Sequence, residues 1–368
     1  MFICILSSCS KDNPSHEPRK AQNEPSNKTE KPNDNKEENE NKEEQKESVL
    51  IIENGILKGI SDKSVTSIIL SDNVKTIAEK AFENSSIIEA TLNEGIEILE
   101  KNCFANSKIK KINFPSTLKR IENDAFLDCF DLEEVDLSKT KIETINEYAF
   151  YGAGIKKVTL PENLGSIEDL GFAETPSLTE IVIPKNVKTI GMQAFYKSGI
   201  TKVTFNNNIE SLGYMAFGDC YNLTDIVTEG ENSESKGIME NACFQNCTAL
   251  KEIVIPECFS VIKEDIFIEC ESLKKIVLPK SIKEIGSRAL VTNYNVETIV
   301  FKGANAPELK NENKPGEIIN VFPEFFSTEH PEYNNIKEII IPSGSINDYK
   351  NKWGNIYKKY ETVIKEEA

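Results

Sequence analysis

Residues 177–195 read SLTEIVIPKNVKTIGMQAF, and residues 250–267 read LKEIVIPECFSVIKEDIF. The two stretches share a short alternating run, a proline, an aliphatic position and a closing phenylalanine, and the same sentence recurs along most of the chain. The closing residue falls at Phe82, Phe104, Phe126, Phe150, Phe172, Phe195, Phe217, Phe244, Phe267 and Leu290, in steps of 22, 22, 24, 22, 23, 22, 27, 23 and 23. A fixed period near 23 makes this a repeat array. Five residues before each closing position stands an aliphatic side chain, from Ile77 and Leu99 to Ile262 and Ile285. Immediately before it, nine of ten residues are small, as at Ala81, Cys103 and Gly171. A column of small residues implies close backbone approach there.

Within each unit, Leu178, Ile181 and Ile183 alternate with Glu180 and Val182 before Pro184. Period-two alternation ended by a residue that cannot donate to a ladder predicts a short strand. Stacked units place such strands side by side about 4.8 Å apart in a parallel sheet, and roughly twelve of them give a stack of about 55 Å. No single unit can bury its apolar side alone, so the units fold only as an array.

Upstream, the chain reads differently. Ser10 to Ser48 holds no aromatic residue and no Val, Ile, Leu or Met, with eight basic and eleven acidic side chains. Such a segment cannot offset its chain entropy by burial and is expected to be disordered. As a coil it spans roughly 35 Å, the behaviour of a tether. Before it stands MFICILSSC, residues 1–9, which resembles a bacterial lipobox ending at Cys9, the residue that would carry the lipid. Eight residues are too few for a whole leader, which suggests a start assigned too late or a trimmed chain.

The unit LxxIxIPxxVxxIGxxAF, as in Leu178 to Phe195, resembles the BspA-like, or treponemal-type, leucine-rich repeat of bacterial surface proteins over residues 65 to about 301. The tail IIIPSGSINDYKNKWGNIYKKYETV is similar to the terminal segment of such proteins. The resemblance implies a leucine-rich-repeat solenoid, mainly β or α/β. It would be a curved right-handed coil of about 23-residue repeats with a parallel sheet and a short C-terminal capping helix. Tyr349 and Trp353, four apart on one helical face, are placed to cover the last coil. The expected organisation is a truncated lipoprotein signal at 1–9, a disordered tether at 10–48, the solenoid at 49–301 and a C-terminal repeat and cap at 302–368. The family resemblance also implies a non-catalytic, adhesin-like lipoprotein on the bacterial cell surface or outer membrane. Its partners would be extracellular or host surface proteins, the membrane would be met only through the lipid, and the chain would be a monomer. A passive structural protein of the envelope is the competing reading.

Composition narrows the chemistry. A net charge of −17 opposes phosphate binding, so no nucleic-acid partner is expected. His16 and His330 are the sole histidines, and no Walker loop, GxSxG, zinc spacing or DxDxDG loop occurs. No enzyme activity, metal or cofactor is therefore predicted. Glu133, Glu134 and Asp136 read as a solvated face, and His330 as a surface residue in a polar loop. Cys129, Cys220, Cys247 and Cys270 share a column with Ser85, Ser107 and Ser198, where the site wants something small, and Cys103 and Cys243 fill the alanine site. These read as buried thiols. Adjacent coils could bring Cys247 and Cys270 within disulfide reach, while Cys258, outside these columns, is expected to be exposed.

The outward strand positions belong to the open face. One column runs from Ile69 through Thr91, Asn113, Asp136, Thr159, Val182 and Thr204 to Val227, Val254, Val277, Val300 and Ile340, polar first and apolar later. Beside it Glu89, Lys111, Glu134, Lys157, Glu180 and Lys202 alternate in sign, followed by Asp225, Glu252, Lys275, Thr298 and Glu338. The expectation is that the apolar ladder, Val182, Val227, Val254, Val277, Val300 and Ile340, edged by Glu252 and Lys275, forms an exposed stripe that binds a partner. β-branched residues also suit a sheet for its own sake. Two excursions break the period, TEGENSESKG at 228–237 and a longer one holding Phe322, Phe325, Phe326 and Tyr333.

Overall fold

The computed structural model describes residues 49–230, 235–290, 295–310 and 335–367. The signal-like segment with Cys9, the tether, His330 and the aromatic excursion lie outside the described residues.

The chain winds as a parallel β-solenoid with two rows of strands. The front row is the one the alternation predicts: Ser67–Ile69, Glu89–Thr91 and Lys111–Ile112, and so on to Thr298–Phe301, Glu338–Ile341 and a last strand, Ile364–Glu366. Register is kept residue for residue, with Glu180, Ile181 and Val182 opposite Lys202, Val203 and Thr204. The front row is divided into sheets of three, two, three and five strands. A second row, not expected from the alternation, is built from the aliphatic position five residues before each ring: Thr76–Ile77, Ile98–Leu99, Arg120–Ile121 and their successors to Glu308–Lys310. Most of these strands are two residues long, too short to show an alternating pattern. An antiparallel hairpin, Leu50–Glu53 with Ile56–Ile60, closes the row at its N-terminal end.

The phenylalanines form the spine. Rings from Phe82 through Phe104, Phe126 and Phe150 to Phe267 stack with centroids 4.9–6.0 Å apart and planes within 25° of parallel. The small residue before each ring is explained by a third ladder of hydrogen bonds. The Phe104 N–H donates to the Ala125 carbonyl at 2.9 Å, and the Phe126 N–H to the Ala149 carbonyl at 2.8 Å. Flanking each ring by two residues on either side are left-handed residues, such as Asn102 and Asn106, Asp124 and Asp128, Gln193 and Lys197. Two reversals within five residues turn the chain too tightly for a helix to form.

Seven cysteines, from Cys103 to Cys270, are buried thiols. Those after the ring also serve as donors: the Cys129 thiol donates to the Phe104 carbonyl at 3.1 Å and the Cys220 thiol to the Phe195 carbonyl at 3.2 Å. Cys258 departs from expectation, because it is fully buried. Gly237, at the end of the 228–237 excursion, donates its N–H to the Cys258 carbonyl at 2.8 Å and closes the coil over it. A Cβ at 237 would lie 2.9 Å from that carbonyl oxygen.

At the C-terminal end, helix α1 (Ile346–Trp353) and helix α2 (Asn355–Tyr360) lead into the final strand. Tyr349 and Trp353 are buried together, rings 4.9 Å apart, each meeting Phe301 edge-on.

Candidate functional site

The front sheet presents its outward side chains in columns, because in-register parallel strands stack equivalent residues directly above one another. The column expected to be a continuous exposed stripe is not uniformly exposed. Val182 and Val254 are 61% and 52% exposed and Val227 is 38%, whereas Val277 and Val300 are 8% and 6%. Val277 has Val254 and Val300 as its register partners, and Val300 has Val277 and Ile340. A residue whose strand is paired on both sides is shielded from both, as Thr204 also shows at 6% exposed, while Val182, Val227 and Val254 stand on edge strands of their sheets with a ladder partner on one side only. The chain thus offers isolated exposed valines at Val182 and Val227, separated from a packed apolar floor at the C-terminal end.

That floor lies in a groove of about 510 Å³ lined by Val254, Val277, Val300 and Ile340, with Glu252, Lys275, Glu338, Lys302, Lys365 and Glu367 at its margins. The marginal charges bridge neighbouring strands: Lys275 to Glu252 at 3.0 Å, Lys302 to Glu367 at 3.2 Å, and Lys365 to Glu338 at 3.6 Å. The final strand seats Lys365 beside Ile340 and so ends the apolar column. Lys365 and Glu367 carried no sequence signal, since they reach the groove only once the tail adds this strand, whereas Lys302, two residues beyond Val300, continues the outward alternation of its own strand. Val182 and Val227 lie outside the groove.

A second groove, of about 710 Å³, lies near the other end and is lined by Glu89, Thr91, Lys111, Asn113, Glu134 and Asp136. It coincides with the break in the front row between Lys111–Ile112 and Glu134–Asp136. Here the side chain of Asn113 turns back and bonds both the N–H and the carbonyl of Leu92, at 2.7 and 2.9 Å. Glu133 lies between Lys110 and Lys156, at 3.1 and 3.3 Å, and their hydrogen bonds and charge hold its carboxyl below its usual range. The alternating column supplies Lys111 to Glu89 at 3.1 Å and Lys157 to Glu134 at 2.8 Å.

Among the described residues no group of three or more His, Cys, Asp or Glu side chains is arranged to hold a metal ion. The buried thiols are chemically subdued. Burial pushes the Cys129, Cys220 and Cys258 thiols up to about 12, and Cys103 and Cys243 well above the usual thiol range. Among the described residues no helix is long and apolar enough to cross a membrane.

Comparison with solved structures finds a leucine-rich repeat protein from Bacteroides ovatus at 24% identity, covering 83% of this chain and 85% of that one, with a TM-score of 0.54. A leucine-rich repeat protein of T. pallidum is 21% identical over 53% of this chain and 82% of that one, with a TM-score of 0.38. A leucine rich cell surface protein from Faecalibacterium prausnitzii is 22% identical over 65% of this chain and 79% of that one, with a TM-score of 0.31. The first of these speaks to the fold alone. No curated protein matches the chain. Residues 52–176, 166–297 and 237–313 match the BspA type leucine rich repeat region, in six copies. With two independent rows of strands, a phenylalanine spine and that match over most of its length, the chain belongs to the BspA type leucine-rich-repeat family.

Proposed function

We propose that this protein is a non-catalytic, surface-displayed binding module that recognises an extracellular or host protein through the C-terminal end of its front sheet. The observation that carries the reading is the groove floored by Val254, Val277, Val300 and Ile340 and margined by charges. An apolar floor within a polar margin is the usual composition of a protein-binding surface. The lipobox-like LSSC ending at Cys9 and the polar segment that follows support display on the outer membrane by a lipid on Cys9. Cofactors and metals have no part in this reading.

The test is saturable binding of the chain from residue 10 onward to a panel of extracellular-matrix and epithelial surface proteins, with Val254→Lys as the variant. Val254 is exposed, so a lysine there alters the surface without opening the core. Loss of about tenfold or more in affinity is expected, corresponding to about 1.4 kcal/mol. Ile69→Lys, at the opposite end of the same column, should leave binding unchanged. Absence of binding across the panel would favour the alternative of a structural envelope lipoprotein.

A further inference from the structure

Cys220, Cys247 and Cys270 stand three residues after the successive spine residues Phe217, Phe244 and Phe267. All three are buried. At the second and third of these coils, the Phe244 N–H donates to the Ile266 carbonyl at 3.0 Å and the Asn246 N–H to the Ile268 carbonyl at 2.7 Å. Those bonds hold Cys247 and Cys270 one ladder step apart, about 4.8 Å, within the range of Cα separations a disulfide spans. The two side chains also point the same way, since the Cys247 thiol donates to the Phe217 carbonyl at 3.2 Å and the Cys270 thiol to the Phe244 carbonyl at 3.0 Å. After burial, the Cys270 side chain is the largest influence holding the Cys247 proton on.

We propose that Cys247 and Cys270 are an inter-coil disulfide site, with Cys220 as the second partner available to Cys247. The oxidant is a disulfide, of small-molecule or protein class, met while the chain folds and before the coils close over the thiols. The Cys247 thiolate attacks one sulfur of that disulfide and expels a thiolate. The Cys270 thiolate then displaces the second, so two thiols lose two protons and two electrons and the oxidant leaves as two thiols. The bond lies where it bears on the C-terminal groove. The Leu250 and Leu273 N–H groups donate to the Cys247 and Cys270 carbonyls at 3.1 and 3.0 Å. Each turn feeds directly into a groove strand, Glu252–Val254 or Lys275–Leu278. The disulfide therefore staples together the first two strands under the groove, whatever ligand the groove takes.

The full chain is denatured, reduced and refolded in a buffer of oxidised and reduced glutathione, then quenched with acid, alkylated in denaturant so that every remaining thiol is reached, and peptide-mapped by mass spectrometry. The expected result is one cross-link joining the Cys247 and Cys270 peptides in most refolded molecules. Cys270→Ser should move the link to Cys220 and Cys247, and Cys247→Ser should remove both links; serine already stands in this column at Ser107 and Ser198, so both variants are expected to fold. Refolded wild-type protein in which all three residues are alkylated, or carry only glutathione, would overturn the proposal.

Discussion

The Tyr349 hydroxyl donates to the Gly303 carbonyl at 2.7 Å, across 46 residues of sequence. Four residues further along the same helix, the Trp353 indole N–H donates to the Pro307 carbonyl at 3.1 Å. The last coil would otherwise end in unpaired backbone, and the helix covers it with two aromatic bodies carrying one polar tip each. Trp353→Ala is expected to cost about 3–5 kcal/mol, and Tyr349→Phe, which removes only the hydroxyl's bond, about 1 kcal/mol. Urea unfolding of the two variants checks the order. Hydrogen exchange should show the loss concentrated in the coils nearest the tail, because coupling in a solenoid runs between neighbours.

A ring inside the spine has two stacking partners and a ring at its end has one. Phe150 stacks on Phe126 and Phe172 at 5.3 and 5.2 Å, while among the described residues Phe82 stacks on Phe104 alone, at 4.9 Å. Phe150→Ala should cost about 3–5 kcal/mol and Phe82→Ala clearly less. Equal losses in chemical denaturation would mean that the stack adds nothing to simple burial.

The left-handed positions beside the spine are unevenly filled. Asn102 occupies one at φ 57°, and Lys80 occupies the equivalent place one coil earlier at φ 60°. Lys80 is exposed, so its side chain has little packing to lose. Lys80→Asn should raise stability by about 0.5–1 kcal/mol, since asparagine tolerates this backbone region better. A contrasting case is Gly154, where a Cβ would lie 1.9 Å from the Phe130 carbonyl oxygen. Gly154→Ala should therefore lower the melting temperature, and its effect is one of space between coils.

Stability should fall on the alkaline side. The folded-state values of Cys129 and Cys220 are raised from an ordinary 9.0 to about 12 by burial. A raised value stabilises the fold fully below the unfolded-state value. That contribution is lost as pH climbs from about 9 toward 12, where the unfolded thiols ionise and the folded ones cannot. Each thiol adds up to about 1.4 kcal/mol per pH unit in that window. Urea midpoints measured from pH 8 to 11 should decline, and Cys129→Ser with Cys220→Ser should flatten the decline. An unchanged slope in the double variant would show that other groups set the alkaline limit.

The front strands, the spine and the column of small residues that holds four of the thiols were legible in the sequence because each repeats ten times or nearly so, and repetition separates a requirement from an accident. Ala125 or Cys103 alone says little, but a column of small residues beside Phe104 and Phe126 announces close approach. The second row of strands was not legible, since a pair such as Thr144–Ile145 is too short to alternate. The burial of Cys258 was not legible, because nothing local announces that Gly237, 21 residues earlier, closes over it.

The candidate site divides in the same way. From sequence alone came its floor and one margin, because Val254, Val277, Val300, Glu252 and Lys275 follow from counting outward positions on in-register strands. Tertiary structure alone decided that Val277 and Val300 sink into a floor while Val254 stays open, and that Lys365 and Glu367 complete the margin. Periodicity can state which side of a strand a residue occupies. How deeply the residue lies depends on whether its strand is paired on one side or on both, and on a tail strand that joins the sheet after two helices, placing Lys365 beside Ile340, 25 residues earlier.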